Sequence, residues 1–190
     1  MKKITLMLIG LLSFPVFAQW QLNNEGSTVS FTTIKKQQIA ENHHFETVAA
    51  SISEQGSVRL VIDLASVNTK IGIRDVRMKE HLFNTSTFPK ATFSTQLAAD
   101  QVSSLTVGNS EKLQVEGTID LHGQSQKITA EVLVTKVNEQ RLLVASLQPL
   151  LIKAQDFDLV AGINKLQELA GLPSITHTVS VNFVLNFTAK

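Results

Sequence analysis

Between residues 113 and 134 the chain alternates apolar and polar side chains almost without a fault. Leu113, Val115, Gly117, Ile119 and Leu121 share one parity, and Gln114, Glu116, Thr118 and Asp120 take the other. Ile128, Ala130, Val132 and Val134 repeat the pattern after the turn His122-Gly123-Gln124-Ser125. Successive side chains of a strand point to opposite faces, so these runs make a hairpin with one apolar face. Thr178–Lys190 follows the same rule, with Val179, Val181, Phe183, Leu185 and Phe187 set against Ser180, Asn182, Asn186 and Thr188. So does the run of Val58, Leu60, Ile62 and Leu64. Weaker strand signals cover Trp20–Leu22, Thr28–Ile34, Thr47–Ile52, Ala91–Leu97 and Arg141–Ile152.

Connections of hairpin length between so many strands predict an all-β antiparallel barrel or sandwich. A terminal strand as apolar as residues 178–190 is an aggregation hazard at an open edge. Closure of the seven to nine strands, last against first, removes that edge and favours a barrel. Two short helices interrupt the strands: Ile73–Phe83, and Ile163–Ala170, which Gly171 and Pro173 end.

The N-terminus reads as an export signal. Lys2 and Lys3 precede the apolar run Ile4–Phe17, and Val16-Phe17-Ala18 is a signal-peptidase site. The run is too short to span a bilayer comfortably, although a retained anchor is the alternative. Cleavage after Ala18 is expected to leave residues 19–190 as one domain in the periplasm, with no stable membrane insertion. Without Lys2 and Lys3 the 17 basic residues become 15 against 16 acidic ones, a net charge of −1. That balance gives no footprint for nucleic acid. With no cysteine, the chain has no disulfide, no lipoprotein anchor, no thiolate metal site and no cysteine nucleophile.

Residues 63–95 hold the first helix. On a regular helix, at about 100° per residue, Ile73, Val76 and Phe83 fall on one side and Met78 and Leu82 nearly opposite. Arg74, Arg77 and His81 share a third flank. Asp75 and Lys79 are spaced as a favourable helical ion pair, and Arg74 has Asp63 or Asp75 as carboxylate partners within reach.

This stretch resembles the signature of the YceI-like family. The matching parts are Ile62-Asp63, Ser66-Val67-Asn68-Thr69, Arg74-Asp75, Met78-Lys79, Phe88-Pro89 and Phe93-Ser94-Thr95. Gly117-x-Ile119-x-Leu121-His122-Gly123 with Lys127-Ile128 resembles the family's second motif, and Asp156-Phe157 with Val179–Leu185 its third. The resemblance implies a lipocalin-like barrel of about eight antiparallel strands, with the helical insertion beside its mouth. It also implies binding of long apolar chains such as polyisoprenoids, isoprenoid quinones or similar amphiphiles.

On that basis Phe31, Phe45, Phe83, Phe93, Ile119, Leu121, Phe157, Val181 and Phe183 are the expected cavity wall. Such a wall offers contact surface and almost no polar handle, which suits an isoprenoid tail. Arg74, Arg77 and His81 are the expected anchor for an anionic or carbonyl head. No cofactor is expected beyond a bound isoprenoid-type lipid. The five histidines show no metal-site spacing; adjacent His43 and His44 would face opposite sides of a strand. Asp156 and Asp158 sit on an apparent strand, and Gly-x-Ser-x-Gly is absent. The expected function is an exported lipid-binding carrier, not an enzyme. A stress-related or partner-binding protein with a filled barrel is the alternative, and an enzyme acting on an isoprenoid lipid a third. The oligomeric state, a homodimer included, stays open.

Overall fold

The computed structural model describes residues 18–98 and 100–190. The export segment expected over residues 1–18 therefore lies, except for Ala18, outside the described residues.

Among the described residues, eleven strands form one antiparallel sheet closed on itself. β1 (Ala18–Lys35), β2 (Ile39–Phe45), β3 (Val48–Ser53), β4 (Ser57–Asp63) and the short β5 (Val67–Asn68) precede the first helix. α1 (Gly72–Arg77) leads through Met78–Leu82 to β6 (Lys90–Gln96), then α2 (Asp100–Ser103). β7 (Ser110–Leu121), β8 (Gln124–Asn138), β9 (Arg141–Ser146) and β10 (Leu150–Lys153) follow, and α3 (Val160–Leu169) and β11 (Thr178–Ala189) end the chain.

β11 pairs with β1 from Trp20↔Ala189 to Thr32↔Ser180, so the expected closure of last strand on first is present. On its other flank β1 takes β3 at residues 18–21 and β2 at residues 29–35. β11 is likewise flanked by β9 and then β10. Beyond β3 and β2, β4 pairs with β3 and β5 with β2, so three staves of the barrel are each made of two strands, and the eleven strands give an eight-stave barrel.

The two weak signals at Trp20–Leu22 and Thr28–Ile34 are one long strand with a bulge. The β1–β11 register shifts between Asn23 and Thr28, where Gly26 has φ 78°. Bulges of this kind bend a strand and suit barrel rims. Asn186 holds this one: its side chain donates to the Glu25 carbonyl at 3.2 Å, and its backbone N–H donates to Ser27 Oγ at 2.9 Å. Arg141 Nε donates to Asn186 Oδ1 at 2.9 Å. Asn186, read from alternation as an outward polar residue, is buried.

One apolar cluster lines the inner part of the barrel and includes Val102 of α2 and Leu105 after it, together with Trp20, Leu142 and Phe187. A second lies under α1 and includes Phe31, Met78 and Phe83. The segment expected as a strand around Asp156 and Asp158 is a tight helical turn, Ala154–Phe157, after which Asp158 takes a left-handed conformation with φ 54°.

Candidate functional site

The motif that introduces α1 is a set of local hydrogen bonds. Asp63 accepts from the Ala65 N–H at 2.9 Å, and Ser66 Oγ donates to the Asp63 carbonyl. Asp75 Oδ1 accepts from both the backbone N–H and the hydroxyl of Thr69, at 2.8 and 2.6 Å. The Asp75 carboxylate is therefore turned toward Thr69, and it anchors the start of α1 to the loop after β5.

After Arg77 the helix widens. The Phe83 N–H donates to the Met78 carbonyl at 2.9 Å, a single wide turn with one extra residue. Such turns are frequent at functional sites. The extra residue corrects the regular-helix phase: Phe83 moves from the side of Ile73 and Val76 to that of Met78 and Leu82. Met78 and Phe83 are buried, while Ile73 and Val76 are 58% and 53% exposed.

Beneath α1 and α3 lies a cavity of about 450 Å³, within the range of ligand pockets. Ile163 and Leu166 of α3, with Ala170 just past its end, cover it from one side, and Ile71, Met78, Leu82 and Phe83 from the other. Gly162 lets the two covers meet: a Cβ there would come within 2.6 Å of the His81 carbonyl oxygen and 2.9 Å of Leu82 Cα. Ile71 and Ile73 line the cavity and are also well exposed, so they mark its mouth.

The wall formed by β1 and β2 changes polarity with depth. The cavity-lining residues run Lys35, Thr33, Phe31 and Val29 on β1, and Glu41, His43 and Phe45 on β2. Thr33 pairs with Glu41, Phe31 with His43, and Val29 with Phe45. The order from the rim inward is thus charged, neutral polar, then apolar.

At the rim, Glu41 meets Lys35 at 2.9 Å and Arg74 at 3.2 Å. Burial pushes the Glu41 carboxyl up, but hydrogen bonds and charge from Lys35 and Arg74 outweigh it and hold the carboxyl below its ordinary value. Deeper, His43 is 3% exposed, and its Nε2 lies 2.9 Å from Thr33 Oγ1. Burial, reinforced by the Arg74 charge, holds this imidazole below its ordinary value, against opposing pulls from Glu41 and Asp75. Its Nδ1 has no hydrogen-bond partner among the described residues.

A second chamber of about 150 Å³ continues into the barrel. Val29, Ile62, Ala91, Ile119, Leu150 and Val181 line both spaces and form a waist between them. Among the described residues no charged side chain lines the inner chamber.

Among the expected wall residues, Phe31, Phe45, Phe83 and Leu121 line the outer cavity, Ile119 and Val181 the waist, and Phe93 and Phe183 the inner chamber. Phe157 lines neither. It is buried in a separate cluster with Ala154, Leu159 and Ile163, because its turn folds it beneath α3. Of the expected anchor residues, Arg74 and Arg77 line the outer cavity. Arg77 Nη1 donates to the Leu169 carbonyl at 3.2 Å, a cation at a helix C-terminus. His81 does not line the cavity; its Nε2 lies 3.8 Å from Glu80 Oε2. Glu41 and Lys35 went unread in the sequence, where they stand in a polar stretch far from α1. His43 had a usable signal, since strand parity put either it or His44 inside.

The profile of the YceI-like domain matches residues 20–187, nearly all of the described chain. The chain belongs to the YceI-like family. A polyisoprenoid binding domain from Saccharophagus degradans is 38% identical, with a TM-score of 0.89 over 92% of this chain and 100% of that one. Burkholderia cenocepacia BcnA is 21% identical, with a TM-score of 0.67 over 87% of this chain and 98% of that one. The Campylobacter jejuni YceI protein is 20% identical, with a TM-score of 0.59 over 100% of this chain and 99% of that one. The latter two share the fold. No curated protein sequence matches the chain. Among the described residues no cluster of three or more metal-ligating side chains occurs, and no helix is long and apolar enough to cross a membrane.

Proposed function

We propose that this YceI-like barrel is an exported carrier that holds a single long-chain isoprenoid amphiphile, tail inward and head at the mouth. One observation carries the reading: a cavity whose wall passes from the Lys35–Glu41–Arg74 rim through His43 to an uncharged chamber. Such a gradient matches a molecule with one polar end and one long apolar end. Each buried methylene contributes about 0.8 kcal/mol, so the tail supplies the affinity. The polar rim then orients the molecule. The polyisoprenoid binding domain at 38% identity supports the same ligand class.

Phe31, Phe45, Phe83, Leu121, Ile119, Val181, Phe93 and Phe183 make the tail wall in this reading. Arg74 and Arg77 face the head group. Arg74 meets it as a partner shared with Glu41, so the rim can accept a neutral oxygenated head as well as an anionic one. Binding and release require no bond to be made or broken. Export through residues 1–18 and a periplasmic location belong to the same proposal, since an insoluble tail needs a carrier between membranes.

Native mass spectrometry of the untagged protein, purified from its exported form and then extracted with solvent, tests the proposal. The expected result is a mature chain beginning at Gln19 with one co-purified isoprenoid. A chain that retains Met1 would overturn export, and a protein that stays empty when prenyl lipids are added would overturn the carrier.

A further inference from the structure

Beside the inner chamber, one inward position of β7 carries no side chain. Gly117 is the one inward position of β7 between Ile119 and Val115 without a side chain, and a Cβ there would collide with the Phe93 ring and lie 2.7 Å from the Ser94 carbonyl oxygen. Gly117 is not among the residues with positive φ, so its backbone conformation is open to any residue, and only space demands glycine. The Phe93 ring fills the notch.

Phe93 stands immediately past the waist. Ala91, the inward residue before it on β6, lines both spaces, whereas Phe93 lines the inner chamber alone. Phe183 follows Val181 on β11 in the same way. Two rings therefore flank the entrance to about 150 Å³ of uncharged space. Drawn aside over Gly117, Phe93 lies along the wall; a side chain at position 117 would push it into the chamber.

We propose that Phe93, seated in the notch left by Gly117, sets the length of isoprenoid tail that the barrel accepts, with the inner chamber receiving the methyl-branched chain end. This rests on the carrier reading above and adds a residue pair that grades ligands by length. Filling the notch closes the chamber and limits the tail to the outer cavity. Removing the ring lengthens the chamber.

The test is a series of all-trans prenols from geraniol to decaprenol, with dissociation constants measured for the wild type, Gly117→Ala, Phe93→Leu and Phe93→Ala. For the wild type, each added unit should tighten binding about tenfold or more up to a break, beyond which the gain disappears. Phe93→Ala should move the break to longer prenols, and Phe93→Leu should move it less. Gly117→Ala should move it to shorter ones. Thermal melts identify variants that fail to fold, and the two Phe93 variants carry the test alone if the Ser94 carbonyl prevents Gly117→Ala from folding. A break that stays in place in both Phe93 variants would overturn the proposal while leaving the carrier reading intact. A wild type that binds no prenol of any length would overturn the carrier reading itself.

Discussion

Arg74 and Glu41 meet at the cavity mouth through two contacts, Nη1 to Oε2 at 3.2 Å and Nη2 to Oε1 at 3.3 Å. The pair ties α1 to β2, and Lys35 holds the same carboxylate from β1. All three side chains are partly exposed, so the pair contributes about 1 kcal/mol or less to stability. Its larger effect falls on the ligand's head. Changing both Arg74 and Arg77 to Gln should weaken binding of a prenyl phosphate more than of a bare hydrocarbon of equal length. Competition binding with the two ligands checks this, and equal losses would remove both arginines from head-group recognition.

Glu41→Gln reverses the sign of that effect. It frees Arg74 and Lys35 from their shared carboxylate, so the rim becomes more positive. Affinity for the prenyl phosphate should rise relative to the corresponding prenol, with the difference shrinking as salt is added. Calorimetric titration at two salt concentrations reads it. An unchanged ratio would mean that the rim charges do not reach the head.

Acid should destabilise the barrel in two steps. Both His43 and Glu41 titrate below their ordinary values, so in each case the unfolded chain takes up a proton before the folded one does. Stability from His43 is full above about 6.5 and is lost as pH falls below it. That from Glu41 is full above about 4.5 and is lost below it. Melting temperature against pH should fall through the first window in the wild type and less steeply in His43→Gln. Parallel curves would contradict the assignment to His43.

Gly162→Ala tests the contact between the two covers of the cavity. The added methyl meets the His81 carbonyl and Leu82 Cα, both backbone atoms, so the helices must separate. Overpacking of this kind costs about 1–3 kcal/mol, and chemical denaturation should report a loss in that range. A variant as stable as the wild type would show that α3 can slide on the wide turn freely.

The hairpin of β7 and β8 was legible because it carries a buried face at a strict period of two. Its register from Ser110↔Thr135 to Leu121↔Gln124 follows from alternation plus one tight turn. Closure by β11 followed from the same pattern and from the hazard of an apolar edge. The rim was not legible. Glu41 and Arg74 are brought together by the curvature of the sheet, and no local period connects a strand residue with a helix 33 positions away. Phe83 was misphased because one inserted residue in the turn after Met78 shifts every later angle, and composition does not announce it. Phe157 and Asp158 were misplaced for a related reason: a short apolar run reads alike as strand or turn. Asn186 looked like an outward residue because alternation cannot foresee a bulge on the neighbouring strand.

The most direct measurement is a methyl NMR spectrum of isoleucine-labelled protein titrated with a long-chain prenol. The account predicts saturating shifts at a stoichiometry of one, concentrated at Ile62 and Ile119 of the waist and at Ile152 and Ile163 of the outer cavity. Ile34 and Ile39, which line neither space, should stay in place. Shifts confined to surface methyls, or none at all, would contradict a tail held inside the barrel.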